Sequence, residues 1–225
     1  METNQFHSDS DLQRIYAQRF ASNLEYRKSV WYVLIEYFFQ KWIPNSAFIL
    51  DLGCGYGEFI NQVHASRKYG MDLNPDSRKY LDGNVDLLAQ DCSSKWPLPD
   101  GSLDVVFTSN FFEHLPDKAA LGRTLDEIRR CLRPNGGKLI AMGPNIKRTG
   151  GAYWDFWDHY LPLTEQSLKE ACENRGFQIK RCHSSFLPYT MAGKRPSPLF
   201  LIKAYLRLPF VWKYFGQQFL VVAEL

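Results

Sequence analysis

The residues in this sequence whose types and spacing are best suited to binding a reactive ligand are three glycines at alternating positions, preceded by an acid. They lie in the stretch Asp51-Leu52-Gly53-Cys54-Gly55-Tyr56-Gly57, at the end of an apolar run that predicts a short strand. Glycine has no Cβ, so such a turn can adopt unusual dihedral angles and let a ligand lie against bare backbone. A helix is predicted to begin at about Glu58, with its first amide groups directed at the ligand. Asp51 favours a ligand that carries a positive charge.

The spacing of these glycines distinguishes the turn from two other ligand-binding turns. A dinucleotide-binding fingerprint reads G-x-G-x-x-G, and a phosphate-binding P-loop ends in Gly-Lys-Ser or Gly-Lys-Thr. The pattern here is D-x-G-x-G-x-G. It therefore disfavours a nicotinamide-dependent dehydrogenase, while a glycine-rich turn in some other α/β domain remains an alternative.

Two further groups of residues could move a proton. Glu113-His114 follows a predicted fourth strand, and the segment 153–160 contains Asp155, Asp158 and His159 among several aromatic residues. Imidazole has a pKa suited to proton transfer near neutral pH, and aromatic faces stack on sugar rings or planar molecules. Two structural roles remain open: His114 could contact the edge of a cofactor, and His159 could anchor the turn that follows it.

Acids also end two other predicted strands. Asp72 ends the second strand, where an acid suits the two hydroxyls of a ribose, although an ordinary surface acid is the alternative. Asn74 and Pro75 then have the types expected at the N-cap and first position of a helix. Asp91 and Cys92 follow a third predicted strand over 85–90.

These motifs, in this order over about residues 45–145, resemble class I S-adenosylmethionine-dependent methyltransferases of the type 11 group. The segments 96–107 and 132–140 also resemble this family. The resemblance implies S-adenosylmethionine as the cofactor, with Asp72 at its ribose, Asp91 at the adenine amino group and the amide of Cys92 at the ring. The cofactor-binding residues implied are Asp51, Gly53, Cys54, Gly55, Gly57, Asp72, Leu73, Asp91, Cys92 and Asn110.

Strands and helices alternate between residues 47 and 183, which predicts a parallel sheet covered by helices on both faces. The resemblance implies an α/β, doubly wound, Rossmann-like fold with a mostly parallel seven-stranded sheet and an antiparallel last strand. The helices predicted in this region are 58–65, 75–80, 118–131 and 165–174. One domain is expected, consisting of a helical segment 1–45 whose first twenty residues could form a lid, a cofactor-binding core 46–183, an insert 184–216 and a final strand 217–225.

The insert 184–216 is too long for a simple hairpin loop and mixes apolar with basic residues. Residues 176–225 contain seven Lys or Arg and one acid, Glu224. Three explanations are open: a cover over the acceptor site, a protein–protein interface such as a homo-oligomer contact, or a surface that touches a membrane. The tail also resembles bacterial methyltransferases associated with the synthesis of cell-surface glycans.

The composition excludes several classes of protein. The 225 residues are 45% hydrophobic and 23% charged, as in ordinary soluble globular proteins, and no apolar run is long enough to span a membrane. The polar, acidic start at 1–11 is unlike a secretory signal. Five cysteines without C-x-x-C spacing favour reduced thiols and a cytoplasmic location, with contact at a membrane surface as an alternative. No metal-ligand cluster is visible, so activity without a metal is expected.

Together these features predict a methyltransferase that uses S-adenosylmethionine to methylate a small-molecule or glycan-linked acceptor at a hydroxyl oxygen. His159 or His114 is the predicted base, and Asp155 and Asp158 are candidates of lower rank. The alternatives are methylation of RNA or protein, and a non-catalytic interaction protein that kept the cofactor-binding fold. Strong nucleic-acid binding is not expected, because the basic residues of the tail are spread among bulky apolar ones.

Overall fold

A seven-stranded mixed sheet forms the centre of the molecule in the computed structural model, which describes residues 24–189 and 197–225. The order of its strands is β3-β2-β1-β4-β5-β7-β6, and β7 runs antiparallel to both of its neighbours. The predicted fold class is therefore confirmed. The lid predicted for the first twenty residues lies outside the described part of the chain. The strands are β1 Phe48–Leu52, β2 Arg67–Met71, β3 Val85–Leu88, β4 Val105–Ser109, β5 Lys138–Pro144, β6 Gln178–His183 and β7 Gln218–Glu224.

Six α-helices and several shorter turns surround the sheet in the described ranges. None of these helices has both the length and the apolar character needed to cross a membrane. The first helix continues through a π-helical turn, Ile35–Phe39, and a 3₁₀ turn, Gln40–Trp42. The helices are α1 Leu24–Leu34, α2 Lys118–Cys131, α3 Ile146–Thr149, α4 Glu165–Glu173, α5 Leu199–Arg207 and α6 Pro209–Phe215, and further 3₁₀ turns are Pro75–Lys79, Phe112–His114 and Gly150–Asp155.

The insert packs on the same face of the sheet as the helical segment that starts with α1. The ring of Phe38 lies 4.6 Å from that of Phe186 and 5.6 Å from that of Trp212, measured between centroids. All three rings are buried in one hydrophobic cluster with residues of β1, β4 and β5. Because buried aromatic rings contribute strongly to packing, this contact fixes α6 against the core, although β6 and β7 are far apart in sequence.

The helix predicted at 58–65 does not form, and this prediction is wrong. The segment is a series of turns, in which the N–H of Gln62 donates to the carbonyl of Phe59 at 3.1 Å. The side-chain amide of Gln62 donates instead to the carbonyl of Glu58 at 2.6 Å, and Nζ of Lys68 donates to the carbonyl of Asn61 at 3.1 Å. Side-chain donors thus occupy carbonyls that an α-helix needs for its own ladder.

The helix predicted at 75–80 forms as a 3₁₀ turn, Pro75–Lys79. Its start is as predicted: the side chain of Asn74 accepts the N–H of Asp76 at 3.0 Å, and Pro75 occupies the first helical position. This short turn keeps the end of β2, where Asp72 lies, close to the glycine turn.

Candidate active site

The glycine turn after β1 is held against the end of β2. The N–H groups of Gly53 and Cys54 both donate to the carbonyl of Met71, at 2.8 and 3.1 Å. Gly53 and Gly57 both have a φ of +75°, and Gly55 has a φ of +51°. A Cβ on Gly53 would collide with the ring of Phe111, and one on Gly57 would lie 2.7 Å from Leu81. Both positions therefore require glycine for conformation and for space.

Three buried acids surround this turn: Asp51, Glu58 and Asp72. Burial and the negative charges of Glu58 and Asp72 raise the pKa of Asp51 well above its ordinary value, although the N–H of Ile60 donates to its carboxylate. Glu58 is paired with Arg27 of α1 at 2.5 Å. The pocket thus carries concentrated negative charge, which a bound cation would stabilise.

Asp72 lies where the sequence predicts it, at the end of β2 beside the turn. Its Oδ2 accepts the N–H of Gly55 and its Oδ1 accepts the N–H of Asn74, both at 2.9 Å. Each carboxylate oxygen can accept two hydrogen bonds, so a diol can still bind there. Asp72 therefore also shapes the glycine turn, a role that the sequence did not indicate. The neighbouring Leu73 is an exposed apolar side chain beside this position.

Asp91 and Cys92 follow β3 at the same edge of the sheet. The exposed carboxylate of Asp91 accepts the N–H and the hydroxyl of Ser93, at 2.8 and 2.9 Å. The thiol of Cys92 is buried 3.3 Å from the hydroxyl of Thr124, and burial raises its pKa to about 12. Burial raises the pKa of the Cys54 thiol as well. Both thiols are therefore packing groups, and the expected contact through the Cys92 amide stays a prediction.

Asn110 begins the loop after β4 and is the one non-glycine residue with positive φ in the described ranges, at +50°. Its N–H donates to the carbonyl of Met142 in β5 at 2.9 Å. Asn tolerates this left-handed conformation better than most residues. The turn directs the chain from β4 into the segment that carries Glu113 and His114.

His114 and Asp158 are brought together by this loop and the segment after β5. Nδ1 of His114 lies 2.8 Å from the main-chain oxygen of Asp158 and 3.2 Å from its Oδ2. Burial alone would lower the pKa of His114, but the contact with Asp158 and the negative charges of Glu113 and Asp158 outweigh it and raise the pKa. Asp155 is exposed, and no hydrogen bond or ion pair among the described residues joins it to either histidine.

His159 is buried among aromatic rings next to His114. Its imidazole stacks on Phe156, with centroids 4.8 Å apart and planes at 20°, and lies 4.7 Å from the ring of Tyr153. The two imidazoles are 5.0 Å apart between centroids. The predicted bases His114 and His159 thus share one location, and this packing restricts the orientation of the His159 ring.

Glu113 is the residue of this group that the sequence-based prediction did not assign. It is buried, and its carbonyl accepts the N–H groups of Tyr160 and Leu161 at 2.8 and 3.0 Å. Glu113, His114 and His159 each offer a ligand atom, and these atoms lie within 4.8 Å of one another. The fold thus joins residues far apart in sequence into a group that could hold a metal ion, and the expectation of activity without a metal stays a prediction.

The two halves of the site lie on either side of the point where the strand order reverses. Asp51 lies near the end of β1, and Asp72 and Asp91 follow β2 and β3. By contrast, Glu113–His114 and the segment 153–160 follow β4 and β5. β1 and β4 are adjacent and parallel. In open α/β sheets, ligands bind in the crevice outside the carboxyl ends of the strands at such a point.

Residues 50–140, which include the glycine turn and His114, match the family described as "Methyltransferase domain". This segment is similar to that family. The cofactor of such a domain is S-adenosyl-L-methionine. The domain ends within β5, so the segment 153–160 and the insert lie outside the matched part.

Relatives and solved structures agree with this assignment. The chain is 27% identical over 139 residues to the 2-methyl-6-phytyl-1,4-hydroquinone methyltransferase of Synechocystis. The aligned region covers 57% of this chain and 41% of the relative. It is 29% identical over 144 residues to the ajmaline N-methyltransferase of Rauvolfia serpentina, covering 52% and 47%. The chain thus matches about half the length of these relatives. A methyltransferase structure from Archaeoglobus fulgidus shares the fold, with a TM-score of 0.68, 21% identity and coverage of 95% and 99%.

The residues around the glycine turn fit the cofactor of the methyltransferase domain. The side chains of Phe111 and Leu81 pack directly against Gly53 and Gly57, so the turn can keep this close packing only with glycine at both positions. Buried acids lie at the end of β1, where burial and the neighbouring Glu58 and Asp72 raise the pKa of Asp51. S-adenosylmethionine carries a sulfonium and an ammonium group, and either positive charge would offset this.

Proposed function

We propose that this chain is an S-adenosylmethionine-dependent methyltransferase that acts on a hydroxyl oxygen of a small-molecule or glycan-linked acceptor. The observation that carries the proposal is the group formed by Glu113, His114, Asp158 and His159, called here the β4–β5 cluster. It lies at the carboxyl ends of β4 and β5, beside the strands that carry the cofactor-binding residues.

The chemistry of the acceptor explains why such a cluster favours a hydroxyl. Bound S-adenosylmethionine supplies a methyl group on a positively charged sulfur. An aliphatic hydroxyl must lose its proton to attack that carbon. A general base that accepts this proton contributes about 10²–10⁴-fold in rate, whereas amines and thiolates need less assistance. The β4–β5 cluster offers imidazole and carboxylate groups for this purpose, with His114 or His159 as the expected base.

Two exposed tryptophans on the segment 153–160 support a glycan-linked acceptor. Trp157 is 84% exposed and Trp154 is 57% exposed, next to the buried His159. The flat faces of exposed indole rings can stack on sugar rings. An acceptor held on these rings would place its hydroxyl at the edge of the β4–β5 cluster.

A methyl-transfer assay tests the proposal. The protein is incubated with S-adenosylmethionine labelled on its methyl group and with matched panels of sugar hydroxyls, phenols, amines and RNA. We expect label in hydroxyl compounds, and its loss in a Trp157→Ala variant for sugar acceptors. Label restricted to amines or RNA would contradict the acceptor class. Tight S-adenosylhomocysteine binding without transfer to any panel would favour the non-catalytic alternative.

For the insert we propose contact with an anionic membrane surface. Large apolar side chains of α5 and α6 face water, including Phe200 at 67%, Phe210 at 64% and Tyr214 at 71% exposure. The basic residues Lys203, Arg207 and Lys213 accompany them, and 197–216 contains no acid. A helix pair that combines bulky apolar and basic side chains suits the headgroup region of anionic lipids. The cytoplasmic location expected from the reduced thiols stays a prediction.

Sedimentation with lipid vesicles tests this contact. We expect the protein to bind vesicles with about one third anionic lipid and to bind neutral vesicles about 100-fold less, since each of the three basic residues near the surface contributes about 1 kcal/mol. A Phe210→Ser/Phe215→Ser variant should lose binding, while Tyr32→Ser, an exposed aromatic of α1, should keep it. Equal binding by both variants would contradict the proposal, and dimer formation through α5 and α6 would replace it.

A further inference from the structure

We propose that Glu113, His114 and His159 bind a divalent transition-metal ion that activates the acceptor hydroxyl. The role in catalysis rests on the proposed function, but the binding of the ion does not. The three residues come from the loop after β4 and the segment after β5, on the acceptor side of the site.

The donor types and their spacing suit such an ion. One carboxylate oxygen and two imidazole nitrogens lie within 4.8 Å of one another. With bonds of about 2.0–2.2 Å, two neighbouring ligand atoms on one side of an ion lie about 3.0–3.6 Å apart, so the three side chains would move closer together on binding it. Two histidines and one carboxylate on one side of a metal leave positions open, as in sites for Fe²⁺ and related ions.

The orientation of His114 is that of a metal ligand. Its Nδ1 is engaged by Asp158, at 2.8 Å from the main-chain oxygen and 3.2 Å from Oδ2. The other ring nitrogen, Nε2, is therefore the one available to an ion. A histidine that binds a metal commonly directs its second nitrogen to a carbonyl or carboxylate, which fixes the tautomer and the ring.

The backbone holds the ligands together. The carbonyl of Glu113 accepts the N–H groups of Tyr160 and Leu161, which ties the two chain segments to each other directly beside the three ligands. The imidazole of His159 is restrained by the rings of Phe156 and Tyr153. The carboxylate of Glu113 is buried beside both imidazoles, so it would supply the anionic ligand of a bound ion.

The ion would activate the acceptor without any redox change. A hydroxyl bound at an open position has a lower pKa and releases its proton to solvent. The oxygen–methyl bond then forms as the bond between methyl and sulfonium sulfur breaks, and the bonding pair stays on sulfur. The products are a methyl ether and neutral S-adenosylhomocysteine. With the ion bound, the two imidazoles act as ligands, and neither is the base expected from the sequence.

Titration with Mn²⁺, followed by electron paramagnetic resonance of the free ion, tests the site in the full chain after dialysis against a chelator. We expect one equivalent of Mn²⁺ to bind the wild type, and Glu113→Gln and His159→Asn each to weaken binding at least tenfold. The matched controls Glu170→Gln and His64→Asn, both exposed and remote from the site, should bind as the wild type does. Circular dichroism establishes that each variant is folded.

Two outcomes would overturn the site: no binding of Mn²⁺ to the wild type, or unchanged binding in both cluster variants. A Co²⁺-loaded wild type gives a readout that needs no variant, since imidazole coordination produces visible absorption bands, and their absence would also count against it. S-adenosylhomocysteine binding should persist in chelator. A loss of turnover in chelator that Mn²⁺ restores supports the catalytic role, whereas failure of transfer with intact Mn²⁺ binding counts against the proposed function alone.

Discussion

Replacing Asp51 by Asn should weaken S-adenosylhomocysteine binding about tenfold or more and, at the same time, raise the melting temperature of the ligand-free protein at pH 7. Binding should weaken because a hydrogen bond to a charged group contributes about 1.5–3 kcal/mol, and a positively charged group of the ligand would no longer meet the Asp51 carboxylate that is predicted to bind it. Stability should rise because Asp51 is buried beside Glu58 and Asp72, where its charge is unfavourable. Asn keeps the oxygen that accepts the N–H of Ile60.

The pH dependence of this stability change follows from the raised pKa of Asp51. The folded state binds its proton more tightly than the unfolded chain, so ionisation costs stability as pH rises from the unfolded pKa of about 3.9 to the higher folded one. The variant should therefore match the wild type near pH 4, gain as pH rises through that window, and keep the gain above it. Each 1 kcal/mol corresponds to about 2–4 °C in a protein of this size.

Scanning calorimetry at a series of pH values, together with titration calorimetry of the ligand, measures both effects. Asp155→Asn is the matched control, since that acid is exposed and its replacement should leave the melting temperature unchanged. An Asp51→Asn variant that melts at or below the wild-type temperature at pH 7 would show that the buried charge is compensated. Unchanged ligand binding would remove Asp51 from the cofactor site.

Replacing His114 by Ala should lower kcat about 10²–10⁴-fold and leave S-adenosylhomocysteine affinity nearly unchanged. His114 lies in the β4–β5 cluster, whereas the acids predicted to bind the cofactor lie at the ends of β1, β2 and β3. Asp158→Asn should cost less, because the main-chain oxygen of residue 158 still holds Nδ1 of His114. Steady-state kinetics on the identified acceptor, with ligand calorimetry on the same preparations, separates the two effects.

The exposed His64 supplies the control for this series. It pairs with Glu36 at the surface, and His64→Ala should keep wild-type kcat. If His114→Ala and His159→Ala both kept full turnover, the β4–β5 cluster would have no part in activating the acceptor. If either variant also lost ligand binding, the cluster would belong to the cofactor site instead.

On the side of the site predicted to bind the cofactor, the positions of the residues could be predicted from the sequence because the signals are local. The glycine turn, Asp72 and the Asn74 cap each lie within a few residues of a strand end, so spacing alone places them. The helix predicted at 58–65 does not form, and the spacing of residue types in the sequence does not reveal why. Side-chain donors of Gln62 and Lys68 take carbonyls of that segment, and Lys68 reaches it from β2.

By itself, the sequence determined the α/β fold, the strand ends that carry acids and the residues suited to a cationic cofactor. Only the tertiary structure decided that Glu113, His114 and His159 meet, that Asp155 faces water and that Asp72 also holds the glycine turn. The physical reason is the separation along the sequence of the residues that interact. Turn chemistry and strand patterning depend on neighbours along the chain, whereas the β4–β5 cluster depends on two backbone hydrogen bonds that join residues 113 and 160–161.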